Sequence, residues 1–368
     1  MTRVLFLTNC PSPYRVAFFN ELSKYVDLTV LFELESIKNR DDKWKSDETI
    51  SYNAIFLKSK RQTEEGAFCP EVKKYIKEFR NDVIIIGGYS TPTGMYAITY
   101  MKFYHIPFML NSDGGLIKQD SFIKKIIKTH FIKSATWWLS TGENCTKYLV
   151  HYGAKEERIY KYPFSSIRSQ EIQKVTDTEK QEIRKQLGIT EKKVILFVGS
   201  FIHRKGIDIL LKACRDFEDT ALVLVGGNTI PDFAKDAEKD CECHIYIEGF
   251  KTGTEIKRYY QASDIFILPT REDIWGLVVN EAMAAGLPII TTDHCGAGLD
   301  MIVNGENGYI VPVDDVKSLS DAMGKLLNDE ELCWYISSNN IEKIKKYTIE
   351  EMAIRHKEII ESITNECN

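Results

Sequence analysis

Residues 264–292 read DIFILPTREDIWGLVVNEAMAAGLPIITT. DIFILP (264–269) is an almost unbroken apolar run of strand length, and TREDIWG (270–276) is a polar loop closed by glycine. LVVNEAMAAG (277–286) is helix-forming and ends at Gly286, after which Pro288 opens a second apolar run, PIITT (288–292). The stretch is therefore strand, loop, helix, strand, the repeating unit of a parallel sheet. Ala282, Ala284 and Ala285 let that helix pack close to its sheet. Glu272, Asp273 and Glu281 stand among these small and apolar residues, so they either cap structure or hold a ligand.

The same alternation runs outward in both directions. RVLFLTN (3–9), LTVLFE (28–33), DVIIIGG (82–88), IPFMLNS (106–112) and ATWWLS (135–140) read as buried strands before it. KVILFVGS (193–200), ALVLVGG (221–227) and HIYIEG (244–249) do so nearer to it. All are nearly continuous apolar runs, as expected where helices cover both faces of a parallel sheet. The pattern weakens between 163 and 192, where TDTEKQEIRKQLGI predicts a short helix capped by Thr178, with Gln181 completing a capping box and Gly188 ending it. A chain of 368 residues exceeds what one core usually supports. The expectation is α/β, two Rossmann-like doubly wound domains, 1–170 and 171–347, facing across a cleft. Ligands in such sheets bind beyond the carboxyl ends of the strands, so informative residues should follow the strands.

Composition narrows the function classes. A net charge of −5 gives no general reason to expect nucleic acid. Nine cysteines form no regular framework and read as reduced thiols of a cytoplasmic protein. Cys241-x-Cys243-His244 has metal-ligand residue types but lacks a second pair at finger-like spacing, and reads as structural; no metal is expected. Asn9 and Pro11 follow the first apolar run too soon for a secretory signal. Residues 83–101 carry no charge, yet Gly87, Gly88 and Pro92 break the run, which fits a strand, a turn and a helix start better than a membrane span.

The first strand leads into TNCPSPYRVAFFNEL without a G-x-G-x-x-G, which argues against a nicotinamide or flavin enzyme. Gly296-Ala297-Gly298 is a partial match that a glycine turn explains more simply. Pro13, Tyr14 and Arg15 make a stiff turn into a helix beginning near Arg15, whose side chain is either a solvated helix-start residue or a ligand contact. After KVILFVGS, Arg204 and Lys205 stand at a strand-to-helix turn. Two cations there oppose the helix dipole, so they are either a solvated surface pair or, resolving that conflict, a phosphate site. Glu272 and Asp273 suit a helix start, whereas Glu281 lies one turn in, where a carboxylate could accept hydrogen bonds from the vicinal hydroxyls of a ribose.

PTREDIWGLVVNEAMAAGLP, VGSFIHRKGIDILLKA and GAGLDMIVNGENGYIVPVDD together resemble the retaining nucleotide-sugar glycosyltransferases of family 4, group 1 glycosyltransferases with the GT-B fold. The resemblance extends to FLTNCPSPYRVAFFNELSKYVDLTVLFE at the start, and its most specific element is the acid-x7-acid spacing from Asp273 to Glu281. It implies that Glu281 holds the nucleotide ribose and that Asp273 lies near the donor sugar. It implies that the backbone from Asp273 through Ile274, Trp275 and Gly276 approaches sugar and phosphate. By the same resemblance Lys205 neutralises the diphosphate, Phe250 lies beside the base, Asp300 matches an acid in a glycine-rich turn, and a final helix near 348–368 crosses back to the first domain. Three departures stand out. The first acid is Asp273 with Glu272 beside it, so which of them reaches the sugar is open. Ser200 replaces the usual arginine, for which Arg204 is a substitute. NSDGG places Asp113 where a histidine-aspartate pair often marks the acceptor side, so Asp113 is either an acceptor-site residue or a turn residue.

The implied reaction is retaining transfer of a sugar from a nucleoside-diphosphate donor, UDP-linked, to a glycan or lipid-linked glycan in bacterial surface polysaccharide synthesis. Lys205 and Arg204 would stabilise the leaving phosphate, with no metal or other cofactor. A nucleotide-sugar epimerase of the same fold and a non-catalytic nucleotide-sugar binder are the alternatives. LIKQDSFIKKIIKTHFIKSATWW (116–138) has five lysines and one acid, with Phe122, Ile123, Ile126, Ile127 and Phe131 on one helical face. It is either a helix covering the sheet or a basic amphipathic helix docking at the inner face of a membrane.

Overall fold

The computed structural model describes residues 1–36, 46, 48–64 and 66–367 and divides into two compact units. Met1–Ser166 and Thr348–Asn368 form the first, and Ile167–Tyr347 the second.

In the first unit the strands are β1 (Arg3–Thr8), β2 (Asp27–Phe32), β3 (Asn53–Phe56), β4 (Arg61–Gln62), β5 (Ala67–Phe68), β6 (Val83–Ile86), β7 (Met109–Ser112), β8 (Trp137–Ser140) and β9 (Ile159–Lys161). Its helices up to the crossing are α1 (Pro13–Leu22), α2 (Val72–Glu78), α3 (Pro92–Phe103), α4 (Phe122–Ile132) and α5 (Glu143–His151). Among the described residues the main sheet has the order β3-β2-β1-β6-β7-β8-β9, and β4 and β5 pair as a small antiparallel hairpin. Every pairing in the main sheet is parallel. Strand order reverses between β1 and β6, the position beside which such sheets bind ligands. The apolar run at 83–101 resolves into β6, a turn and the start of α3, and no helix among the described residues is long and apolar enough to cross a membrane.

The second unit contains α6 (Asp177–Leu187), β10 (Lys193–Val198), α7 (Ile207–Ala213), β11 (Thr220–Val225), α8 (Lys235–Lys239), β12 (His244–Glu248), α9 (Gly253–Ala262), β13 (Ile265–Leu268) and α10 (Leu277–Ala284). β14 (Ile289–Thr292), α11 (Gly296–Met301), β15 (Gly308–Val311), α12 (Val316–Asn328) and α13 (Glu330–Ile344) complete it. Its sheet is parallel, in the order β12-β11-β10-β13-β14-β15. All six residues of β11 and all four of β13 are buried, which is why these segments are apolar throughout. The reversal of strand order here falls between β10 and β13.

The last helix, α14 (Ile349–Cys367), belongs to the first unit and packs against α1. Its Ile349, Met352, Ala353, Ile359, Ile360 and Ile363 are buried. α6 starts two residues earlier than the sequence suggests. Thr176, rather than Thr178, is the cap, and it forms the capping box with Glu179 rather than Gln181. Two overlapping Thr-x-x-acid or amide patterns compete at this point, and the charged Glu179 carboxylate is the stronger acceptor. Gly188 ends the helix with φ of 72°.

Candidate functional site

In the second unit the candidate residues gather where the strand order reverses. After β10 the chain makes a turn, His203–Lys205, and enters α7 through Gly206, which has φ of 70°. A Cβ at Gly206 would lie 1.9 Å from the carbonyl oxygen of Pro269, just after β13. Only glycine satisfies both the left-handed backbone and that close approach. The two strand-end loops are thereby pressed together. Arg271 N donates to Arg204 O at 2.8 Å, and the Thr270 hydroxyl spans Arg204 O and Glu272 O, 3.0 Å from each.

This packing brings the cations onto the acidic loop. Lys205 Nζ is ion-paired with Asp273 Oδ2, and both side chains are largely buried. Exposed Arg204 donates from Nη1 to the carbonyl of Glu272. Of the two neighbouring acids, then, Asp273 meets Lys205 through its carboxylate, and Glu272 meets Arg204 through its backbone. Asp273 N donates to His294 O at 2.9 Å, and Gly296 N donates to Asp273 O at 3.0 Å, which ties the loop to the start of α11. Trp275 is buried, donates from Nε1 to Asn280 Oδ1 at 3.0 Å and accepts at its carbonyl from Ala297 N at 2.7 Å, whereas Ile274 is exposed. Gly276 turns the chain into α10 with φ of 96°.

Glu281 lies on α10, half-buried, and its Oε2 accepts a hydrogen bond of 2.8 Å from the buried hydroxyl of Tyr260 on α9. Burial, reinforced by the Glu281 charge, holds the Tyr260 hydroxyl protonated far above its usual range. Phe250 is half-buried and follows β12, at the same carboxyl end of the sheet but two strands out from β10. Arg271, not singled out from the sequence, braces the loop. It grips Asp208 of α7 with two hydrogen bonds of 2.9 and 2.7 Å, pairs with Asp314 at 2.7 Å and donates to His203 O at 2.6 Å. Its signal in the sequence is faint, because an arginine beside Glu272 looks like one more loop charge.

In the first unit α1 begins at Pro13, two residues before the expected start, because proline is favoured at the first helical position. Arg15 is buried rather than a solvated helix-start residue. Its Nη2 lies 2.5 Å from each oxygen of Asp113, just beyond β7. Asn111 Nδ2 at 2.8 Å and the Tyr162 hydroxyl at 3.4 Å also donate to Asp113, so Asp113 is the hub of a polar cluster rather than a simple turn residue. Burial opposes the Arg15 charge, but Asp113 and the tyrosines outweigh it and hold Arg15 firmly protonated. Tyr14 lies beside the guanidinium, 5.4 Å from its ring centroid. Among the described residues Arg15 Nη1 and Asn111 Oδ1 are buried without a hydrogen-bond partner. His356 of α14 closes the cluster from behind. Its ring lies 4.7 Å from that of Phe18 and 4.5 Å from that of Tyr162. Tyr162 and His356 escaped the sequence reading because both are brought in from elements far along the chain.

α4 packs on the core of the first unit through Ile132 and the partly buried Phe131, near its carboxyl end, and leaves much of its apolar face open. Phe122, Ile123, Ile126 and Ile127 are 79%, 71%, 52% and 43% exposed, while Ile132 is buried and Phe131 stacks on Tyr89 at 6.2 Å. Phe131 thus leaves the apolar face on which the sequence places it. Lys128 also turns inward, to Asp120 at 2.7 Å.

Residues 179–343 match the family described as glycosyl transferases group 1. An uncharacterized glycosyltransferase of Methanocaldococcus jannaschii is 28% identical over 257 residues, covering 65% of this chain and 63% of that protein. The lipopolysaccharide core biosynthesis mannosyltransferase LpsB of Rhizobium meliloti is 30% identical over 200 residues, covering 50% of this chain and 56% of that protein. The chain thus spans only about half to three fifths of the length of the curated relatives it matches. Anabaena HepE, solved in complex with UDP, superimposes with a TM-score of 0.79 over 98% of this chain and 100% of its own, at 15% identity. That likeness is one of fold, the two-Rossmann-domain GT-B fold. Over residues 179–343, most of its second unit, the chain is thus similar to the group 1 glycosyl transferases.

Proposed function

We propose that the chain transfers a sugar from a nucleoside-diphosphate donor, UDP-linked, with retention of anomeric configuration, to a glycan or lipid-linked glycan during bacterial surface polysaccharide synthesis. The observation that carries the reading is the Lys205–Asp273 pair at the strand-order reversal, with Glu281 eight residues further on, one turn into the adjoining helix. Among relatives, LpsB is named for lipopolysaccharide core biosynthesis, and HepE was solved with UDP.

In this reading Lys205 exchanges its single carboxylate partner for a diphosphate of higher charge, and Asp273 is released toward the hydroxyls of the sugar. As the glycosidic bond lengthens, charge develops on the leaving phosphate beside Lys205 and Arg204, where a preplaced cation stabilises the transition state most. Backbone N–H groups from Ile274 to Gly276 add donors, and Glu281 accepts from the ribose. Phe250 lies beside the base. With two cations in place, the reading assigns no metal to this site. Asp113, fixed by Arg15, is the acceptor-side residue, with Pro13 and Tyr14 beside it.

Incubation with a panel of nucleotide sugars tests the reading. Nucleotide release should require a glycan acceptor, and NMR of the product should show the donor's anomeric configuration. Donor isomerisation without acceptor would indicate an epimerase, and binding without turnover for any acceptor a binder. Lys205→Ala should lower kcat/KM by about 10²–10³, with kcat falling in proportion. An unchanged kcat would remove Lys205 from the leaving-group side.

The exposed apolar face of α4 favours a second element of the reading, contact with an anionic membrane at its cytoplasmic face. Lys124 and Lys125 flank that face, a composition suited to lying in the headgroup region. Co-sedimentation with anionic vesicles at low salt should be strong, weaker with neutral vesicles, and abolished by Ile123→Glu/Ile126→Asp. Equal sedimentation of that variant would sink the membrane contact and leave the transfer reaction untouched.

A further inference from the structure

Cys214, Cys241 and Cys243 converge on one point of the second unit. Cys214 sits at the carboxyl end of α7, where its N–H donates to Leu210 O and Leu211 O at 3.1 and 3.2 Å. Cys243 directly precedes β12, and Cys241 lies in the segment between α8 and β12. Their three sulfur atoms all lie within 4.8 Å of one another. Cys214 and Cys243 are buried, and Cys241 is half-open to solvent. Sequence spacing suggested a different set, Cys241, Cys243 and His244. His244 does not join the sulfurs. Successive residues at a strand start point to opposite faces, and His244 Nδ1 instead meets Glu191 at 2.5 Å.

We propose that Cys214, Cys241 and Cys243 bind a zinc ion through three thiolates, with solvent in the fourth position on the open side of Cys241. The fit is geometric. Zinc–sulfur bonds of about 2.3 Å in a tetrahedron place sulfurs roughly 3.8 Å apart. Three sulfurs already inside a 4.8 Å limit reach that arrangement by small side-chain adjustments. Thiolate is the ligand type that selects zinc over the hard cations. Packing alone explains a buried cysteine, since the thiol behaves as a small apolar group. It does not explain why half-open Cys241 turns its sulfur to two buried ones. On binding, Zn²⁺ takes the place of three thiol protons, which pass to solvent. The site lies at the amino ends of β11 and β12, opposite the strand ends that carry Lys205 and Asp273. Its role is therefore to staple the end of α7 to the edge of the sheet. This inference does not depend on the proposed reaction.

The test uses the full chain, reduced and freed of metal by a chelator. One Zn²⁺ per chain should bind and raise the melting temperature. One Co²⁺ should bind in its place and give sulfur-to-metal charge-transfer absorption with the intense visible bands of a tetrahedral site. Cys241→Ser, a change at the half-open position, should weaken Zn²⁺ at least ~100-fold, more than the loss of an outer-shell partner. Cys214→Ala should do the same, with circular dichroism confirming that each variant is folded. The inference is overturned if the reduced chain takes up no metal, or takes it up equally in Cys241→Ser. It is also overturned if mass spectrometry of the purified chain shows a disulfide within the trio that persists under mild reduction.

Discussion

In the proposed reaction Glu281 serves two partners that a binding assay alone would merge. Its carboxylate is assigned to the donor ribose, and it already satisfies the buried hydroxyl of Tyr260 at 2.8 Å. From the sequence, Glu281→Ala should weaken donor binding with little loss of stability. The structure changes that expectation, because alanine strands a buried donor, which costs about 1–3 kcal/mol. Glu281→Ala should therefore lower both donor affinity and the unfolding midpoint. Glu281→Gln keeps one acceptor for Tyr260, so stability should hold while UDP-sugar affinity falls roughly 10- to 100-fold, the worth of hydrogen bonds to a charged group. In the double variant Tyr260→Phe/Glu281→Ala the stranded hydroxyl is gone, so stability should recover while binding stays weak. Calorimetric titration beside denaturant melts separates the two effects. Full donor affinity in Glu281→Gln would release Glu281 from the ribose.

At the scale of elements, α14 and the β4–β5 hairpin tie the first unit to pH in opposite senses. Burial, with Arg15 adding to it, depresses His356 on α14 to about 4. Its contribution to stability is present above the unfolded histidine value of about 6.5 and is lost as pH falls toward 4. Burial raises Glu33 to about 7, although Thr91 and the N–H of Ala67 in β5 hydrogen-bond to it. Its contribution is present below about 4.5 and is lost as pH rises toward 7. Each is worth up to roughly 3 kcal/mol, so they largely cancel between pH 4.5 and 6.5. Glu33→Gln reproduces the protonated form. It should stabilise the first unit at pH 8, leave it unchanged near pH 4.5, and expose a fall in stability on acidification that His356→Gln then removes. Urea melts at pH 5 and 8 check this, and a flat profile in Glu33→Gln would refute the account of His356. The same elements show what the sequence made legible. Wholly buried strands such as β11 and β13 announce themselves as apolar runs. β3, β9 and the two-residue strands β4 and β5 do not, being short and partly exposed. The candidate acids of one strand-end loop and the helix after it, Asp273 and Glu281, were legible through the family resemblance, because they lie close together in the sequence. Arg15 with Asp113, 98 positions apart, and Glu281 with Tyr260, 21 apart, were not, because only the folded sheet makes them neighbours.

For the molecule as a whole, the decisive fact is that the chain leaves the first unit at Ser166 and re-enters it at Thr348. The second unit is therefore one continuous segment with its own six-stranded sheet, and it carries Arg204, Lys205, Asp273 and Glu281. The first unit is discontinuous and takes its last helix from the other end of the chain. Six apolar side chains of α14, from Ile349 to Ile363, are buried, and the helix packs against α1. At about 1.5–3 kcal/mol for each fully buried large aliphatic side chain, and less for Ala353, their loss amounts to roughly 10 kcal/mol. That equals the entire stability of an ordinary domain, about 5–15 kcal/mol. Cutting the chain into 1–166 and 167–347 should thus give opposite outcomes. The segment 167–347 should melt cooperatively and bind a UDP-sugar within ~10-fold of the full chain, a loss of about 1.4 kcal/mol at most. The segment 1–166 should expose the apolar face of α1, show no cooperative melt and bind hydrophobic dye, until a peptide spanning 348–368 restores a transition. A cooperative melt of 1–166 alone would show that α14 is an accessory to that core rather than part of it. Failure of 167–347 to bind donor while folded would move the nucleotide away from the strand ends of β10 and β13.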